Sequence, residues 1–116
     1  MKKLLLIVSL LVWAVLNASV ITAWTFENTL VPSTGIGTIS VIGGVTDDGF
    51  NTGYSGGLAW STTSYPAQGT NNMTAGIIIE VSTVNFQNIT ISWALRHSNK
   101  SANSAVLFYT LNNTVA

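Results

Sequence analysis

Between Asn88 and Arg96 every second residue is apolar. Ile89, Ile91, Trp93 and Leu95 alternate with Thr90, Ser92, Ala94 and Arg96. Strict alternation over this length is the signature of a half-buried β-strand, because successive side chains of a strand point to opposite faces. The same period recurs in Ile77–Ser82, where Ile77, Ile79 and Val81 alternate with Ile78, Glu80 and Ser82. Ala105–Leu111 carries apolar groups on both faces, which suits a central strand. Thr38–Ile42 and Leu58–Thr62 are shorter candidates, and Trp24–Glu27 is a plausible first strand. No helical stripe follows Ala23.

The segments between these runs are rich in turn residues. Pro32–Gly37, Gly43–Gly57 and Tyr65–Gly76 hold all ten glycines and both prolines, and they are expected to be loops. Short strands joined by Gly-, Asn- and Pro-rich connections predict an all-β fold, an antiparallel β-sandwich of the jelly-roll kind. Six strands are few for such a sandwich, and Leu111–Thr114 reads as a hairpin turn that asks for a returning strand. The sandwich is therefore expected to be incomplete in this chain, which reads as a truncated copy.

The first residues are of another kind. Lys2 and Lys3 precede an uncharged apolar run, Leu4–Leu16, and a more polar stretch, Asn17–Ala23, ending in a small residue. Basic, apolar and small-residue segments in that order form a secretory signal peptide, expected as a helix over residues 1–23 with cleavage after Ala23. Ile21 and Ala23 occupy the positions a signal peptidase inspects, and Ala18 is a second choice. The alternative is an uncleaved anchor, but Leu4–Leu16 is shorter than the ~20 residues a spanning helix needs. The expected address is secreted, extracellular or cell-surface, with membrane contact only through the signal before cleavage. The mature unit would be residues 24–116.

With no cysteine in the chain, structural disulfides and a lipid-modified cysteine anchor are excluded. Small secreted domains commonly depend on such staples, so this one must draw on its core, a metal or a covering partner. Residues 24–116 carry two cations, Arg96 and Lys100, against Glu27, Asp47, Asp48 and Glu80, a net charge of −2 with His97 neutral. No basic patch exists, so nucleic-acid binding by this segment is disfavoured.

Several pieces together resemble a family. They are Trp24-Thr25-Phe26-Glu27, Ile42-Gly43-Gly44, Ala59-Trp60-Ser61-Thr62-Thr63, Tyr65-Pro66-Ala67-Gln68-Gly69-Thr70, Val81-Ser82-Thr83, Leu95-Arg96-His97-Ser98-Asn99 and Phe108-Tyr109-Thr110. In order and spacing they resemble the N-terminal β-sandwich domain of large secreted bacterial proteins. These include extracellular endonuclease/exonuclease/phosphatase-type nucleases and surface proteins with C-terminal sorting signals. The resemblance implies a jelly-roll-like accessory module with an attachment or carbohydrate-binding role. Any nuclease activity would belong to a later domain.

Candidate sites follow from residue chemistry. Gly53-Tyr54-Ser55-Gly56-Gly57 matches G-x-S-x-G, a nucleophile elbow where a strand turns into a helix. Here a strand is expected next, so the stretch reads as a glycine loop and this segment as non-enzymatic. Gly35-Ile36-Gly37 starts a dinucleotide-like string, but Ser40 replaces its third glycine, so it reads as a turn. Asp47, Asp48 and Asn51 place oxygen side chains in one loop, where Ca²⁺ is a candidate cofactor; Asp-Asp-Gly is equally an ordinary turn. Tyr54, Trp60 and Tyr65 are the aromatics best placed to stack on sugar rings, while Trp93 is expected in the core. Arg96 either hydrogen-bonds a sugar or carboxylate or pairs across the sheet with Glu80 or Glu27. Asn72, Asn88, Asn99 and Asn112 begin Asn-x-Ser/Thr sequons, and Asn17 begins one within the signal.

The function these features favour is a non-catalytic binding or attachment module of a larger secreted protein, with polysaccharide or cell-surface glycan as partner. Two alternatives stand beside it. One is the leader domain of a secreted nuclease or hydrolase whose catalytic domain lies outside this chain. The other is a purely structural cell-surface sandwich.

Overall fold

The computed structural model describes residues 18–101 and 104–110. Four strands form: β1 (Gly37–Ile42), β2 (Thr46–Thr52), β3 (Leu58–Thr63) and β4 (Gly76–Val81). β1 pairs antiparallel with β4, Gly37 opposite Val81 and Ile42 opposite Gly76. β2 pairs antiparallel with β3, Thr46 opposite Thr63 and Thr52 opposite Leu58. The result is two separate two-stranded sheets, with the β2–β3 pair nested in sequence inside the β1–β4 pair.

Local chemistry explains each piece. In β1 and β4 the cross-strand pairs Ile39–Ile79 and Val41–Ile77 share one face, the side-chain contact that stabilises a sheet. On the other face the Thr38 hydroxyl donates to the Glu80 carboxylate at 3.0 Å. Between β1 and β2 the chain reverses at Gly43-Gly44, whose φ angles are 68° and 84°. Gly43 has a second reason to lack a side chain, since a Cβ there would lie 1.9 Å from the Thr74 carbonyl oxygen. Directly after this turn sits Val45, only 5 % exposed and the one buried apolar side chain among the described residues.

β2 runs through the stretch expected to be a glycine loop. Thr-Asp-Asp-Gly-Phe-Asn-Thr has poor strand propensity, which is why its sequence conceals it. The strand accommodates Asp48-Gly49 as a bulge. Asp47 faces Thr62 and Phe50 faces Trp60, so two residues on β2 stand against Ser61 alone on β3. Gly49 supplies the positive φ, 77°, and its amide is satisfied by Asp47 Oδ1 at 2.8 Å. A bulge of this sort shifts side-chain parity by one residue.

The expected sandwich or jelly roll is overturned. Neither sheet has more than two strands and neither closes on itself. Three expected strands are missing. Trp24–Glu27 is not a strand; only Ala23 bridges to Thr34 there, and Phe26 and Asn28 take φ of 57° and 59°, outside the extended region. Ile89–Arg96 and the described part of Ala105–Leu111 are not in any sheet. All of residues 82–100 are exposed, Trp93 at 59 % included. Trp93 is therefore not in a core. The run lies beside β4 without joining it, leaving a groove of ≈ 370 Å³ between Val81 and Thr83 on one side and Ile89, Ile91 and Tyr109 on the other. Of the expected signal-peptide helix over residues 1–23, the described part, residues 18–23, is not helical, and Ala23 bridges to Thr34 instead; residues 1–17 and the turn at Asn112-Asn113 lie outside the described residues. Among the described residues no helix is long and apolar enough to cross a membrane.

Candidate functional site

The β2–β3 hairpin and the residues directly after it bring Trp60 and Tyr65 together with polar side chains. On β3, Trp60 and Thr62 share a face because they are two residues apart. The bulge brings Asp47 onto that same face, opposite Thr62. The Trp60 indole N–H then donates to Asp47 Oδ1 at 2.8 Å. The Gly49 amide first, and the Trp60 indole second, hold the Asp47 carboxyl below the usual aspartate value by favouring its charged form.

Tyr65 closes the other side of the cluster. Its hydroxyl shares a hydrogen bond with Thr62 Oγ1 at 2.8 Å. Phe26 lies over Trp60, ring centroids 6.1 Å apart and tilted by 32°. The segment carrying Phe26 is anchored by Glu27, whose Oε1 accepts the Leu58 amide at 2.9 Å. Gly57 makes room for that carboxylate: a Cβ there would lie 2.4 Å from Glu27 Oε1. Trp60 is half-buried by this packing, while Tyr65 keeps 39 % of its surface open. The outcome is a fixed, partly open patch of two ring systems bordered by a carboxylate and a shared hydroxyl pair.

The other expected site residues fall elsewhere. Tyr54 sits in the β2–β3 turn, 84 % exposed, at the end of the hairpin away from Tyr65. β3 has six residues, so the two ends are about 20 Å apart at strand rise. Arg96 belongs to the exposed 82–100 run. It forms no ion pair with Glu80 or Glu27 among the described residues, and those carboxylates accept from Thr38 and Leu58 instead.

The three oxygen residues expected for Ca²⁺ diverge on the hairpin. Asp47 turns to Trp60, while Asp48 Oδ2 is 3.5 Å from Ser61 Oγ, on the opposite side of β3. Asn51 faces Ala59, three residues of β3 away from Thr62, the partner of Asp47; that is about 10 Å of strand. Among the described residues no group of three or more His, Cys, Asp or Glu side chains gathers.

The G-x-S-x-G stretch forms the hairpin turn, closed by the Gly53 amide donating to the Gly57 carbonyl at 3.0 Å. Ser55 has φ 60°, and β3 follows rather than a helix. Gly35 is a turn glycine at φ 72° whose missing Cβ admits the Ile21 carbonyl.

Phe26 and Thr62 were not singled out as site residues by sequence reasoning, and Glu27 was named only as a pairing partner for Arg96. Thr62 was within reach, since it shares parity with Trp60. Phe26 and Glu27 were not, because nothing local says that residues 26–27 cross the hairpin. No protein-family model, no curated protein and no solved structure matches this chain. The resemblance to the N-terminal domain of secreted nucleases and surface proteins is thereby set aside. It finds no relative to stand on, and the two small open sheets are not the sandwich it implied.

Proposed function

We propose that the exported part of this chain is a non-catalytic extracellular binding or attachment module, and that its ligand is a polysaccharide or cell-surface glycan. The observation that carries this reading is the Trp60–Tyr65 patch, where two rings held in place by Asp47 and Thr62 remain partly open. Sugars present apolar C–H faces ringed by hydroxyls. An aromatic platform edged with hydrogen-bonding groups offers the matching surface, and the fixed side chains lower the ordering cost of binding. The low charge of the chain suits a neutral polymer better than a polyanion. Tyr54, at the far end of the hairpin, is reachable only by an extended ligand.

The test is binding of residues 24–116 to a glycan array and to immobilised polysaccharides. Trp60→Ala and Tyr65→Ala are each expected to weaken retention at least tenfold, and Tyr54→Ala less. Absence of binding by the unsubstituted protein across neutral and acidic glycans sinks the reading.

A second reading, a purely structural cell-surface unit, has one observation in its favour: the Trp60 indole is already engaged by Asp47 and packed on Phe26. Under that reading Trp60→Ala destabilises the hairpin, and Tyr65→Ala has no ligand-dependent effect at all.

A further inference from the structure

Three described turns, residues 67–70, 71–74 and 98–101, are built alike, and the last two hold asparagines. In residues 71–74 the Thr74 amide donates to the Asn71 carbonyl at 3.3 Å, and the Thr74 hydroxyl donates to the same oxygen at 2.6 Å. In residues 98–101 the Ser101 amide donates to the Ser98 carbonyl at 3.1 Å, and the Ser101 hydroxyl reaches the same oxygen at 2.9 Å. These two turns place an asparagine, Asn72 or Asn99, at the second position, where the 67–70 turn has Gln68. Each is closed by the hydroxyl residue two places further on. Gln68 ties the 67–70 turn to the 98–101 turn by donating to the Ser101 carbonyl.

Asn72-Met73-Thr74 and Asn99-Lys100-Ser101 are also Asn-x-Ser/Thr sequences without proline in the middle, the acceptor pattern for N-linked oligosaccharide. Asn88-Ile89-Thr90 is a third, at a bend with φ 54°. All three asparagines are exposed and lie outside the four strands. None of their side-chain amides takes part in a hydrogen bond among the described residues. A group attached to any of them breaks no side-chain hydrogen bond among the described residues. Asn88 and Asn99 also bracket the exposed apolar run from Ile89 to Leu95.

We propose that Asn72, Asn88 and Asn99 are glycan acceptor sites, a proposal that rests on export of the chain through a secretory pathway. The co-reactant is a lipid-diphosphate-linked oligosaccharide. A bond forms between the asparagine Nδ2 and the anomeric carbon, the bond from that carbon to the diphosphate oxygen breaks, and the lipid diphosphate leaves as the amide loses one proton. Sugars at Asn88 and Asn99 flank the exposed apolar run and hinder it from pairing as a strand with another chain, a hazard of unpaired strand-forming segments.

The experiment secretes the full chain from a eukaryotic cell line, in parallel with residues 24–116 behind an independent secretion signal. Both carry Asn112→Gln, and the full chain carries Asn17→Gln as well, so that only the three sites report. Digestion with an amidase that releases N-glycans is expected to increase gel mobility. Asn72→Gln, Asn88→Gln and Asn99→Gln should each remove one step of the shift. Thr90→Ala should remove the Asn88 step with the asparagine intact, and Thr90→Ser should keep it. Secreted protein whose three asparagine peptides are unmodified by mass overturns the proposal. Glycosylation of the version with the independent signal, together with retention of the version with residues 1–23, supports the acceptor sites while refuting the export reading.

Discussion

Residues 37–81 and the described residues of 82–110 form two contrasting regions. The first holds all four strands, the two tight glycine turns and Val45. The second holds the cleanest alternation in the sequence, Ile89 to Leu95, and yet no strand. Thr-Asp-Asp-Gly-Phe-Asn-Thr, which lacks that alternation, is a strand because Leu58–Thr63 lies alongside to complete its ladder. Alternation fixes which side chains point the same way. A ladder requires a second backbone, and only the first region supplies one.

The sharpest break of this contrast is at Val45. Val45→Asp puts an unpaired charge where the chain is 5 % exposed and should cost several kcal/mol, on the order of a broken buried interaction. Residues 37–81 should lose their β signal in circular dichroism and become protease-sensitive. Trp93→Ala, at 59 % exposure, should change stability by about 1 kcal/mol or less, as exposed substitutions do. Equal effects at the two positions would mean that the second region is packed after all.

Next in size is a pair of glycines. Gly43→Ala meets both a positive φ and the Thr74 carbonyl, so about 2–3 kcal/mol of destabilisation is expected from strain plus clash. Gly44→Ala keeps a φ of 84° with open space around it, and strain alone should cost about 1 kcal/mol. Denaturant titration of both variants compares them directly, and the order Gly43 above Gly44 is the point at stake.

Hydrogen exchange sharpens the contrast without mutation. Ladder amides of β1–β4 and β2–β3 should be protected, whereas amides of residues 89–97 should exchange near the free-chain rate. Protection of Ile91 or Trp93 equal to that of Ala59 would show a ladder in the second region.

The smallest effect concerns acid. Asp47 is held below its ordinary value by the Gly49 amide and the Trp60 indole. A depressed folded-state value adds stability that is fully present above the unfolded aspartate value, about 3.9, and is lost as pH falls through the folded value. The β2–β3 hairpin should therefore weaken on acidification below about pH 4, and Asp47→Asn should remove that part of the slope. Trp60 fluorescence against pH reads both.

Part of the fold was legible before any coordinates. Gly37–Ile42, Leu58–Thr63 and Gly76–Val81 match three expected strands within a residue or so, because alternation bounded by glycine is a local signal. β2 was hidden by Asp-Asp-Gly, which writes a turn in propensity and a bulge in context. The absent strands at 89–96 and 105–110 were read from a pattern that says nothing about partners. At the site, Trp60 and Tyr65 were identifiable as exposed-platform candidates from the loop they flank. Their link through Asp47 and Thr62 was not, because it depends on the parity shift that only the bulge creates.

The nesting of one strand pair inside the other sets an order of assembly. Only five residues, Gly53–Gly57, separate β2 from β3, whereas thirty-three separate β1 from β4. Closing the longer loop directly costs ~1.7 kcal/mol more in chain entropy, from the logarithmic dependence on length. Once the inner hairpin forms, on a timescale of about 1–10 μs, the chain between β1 and β4 shrinks to two short connections, Gly43–Val45 and Ser64–Ala75. The outer pair then closes over a preformed unit. Defects in the Gly53–Gly57 turn should slow folding, while defects confined to β1 or β4 should mainly speed unfolding.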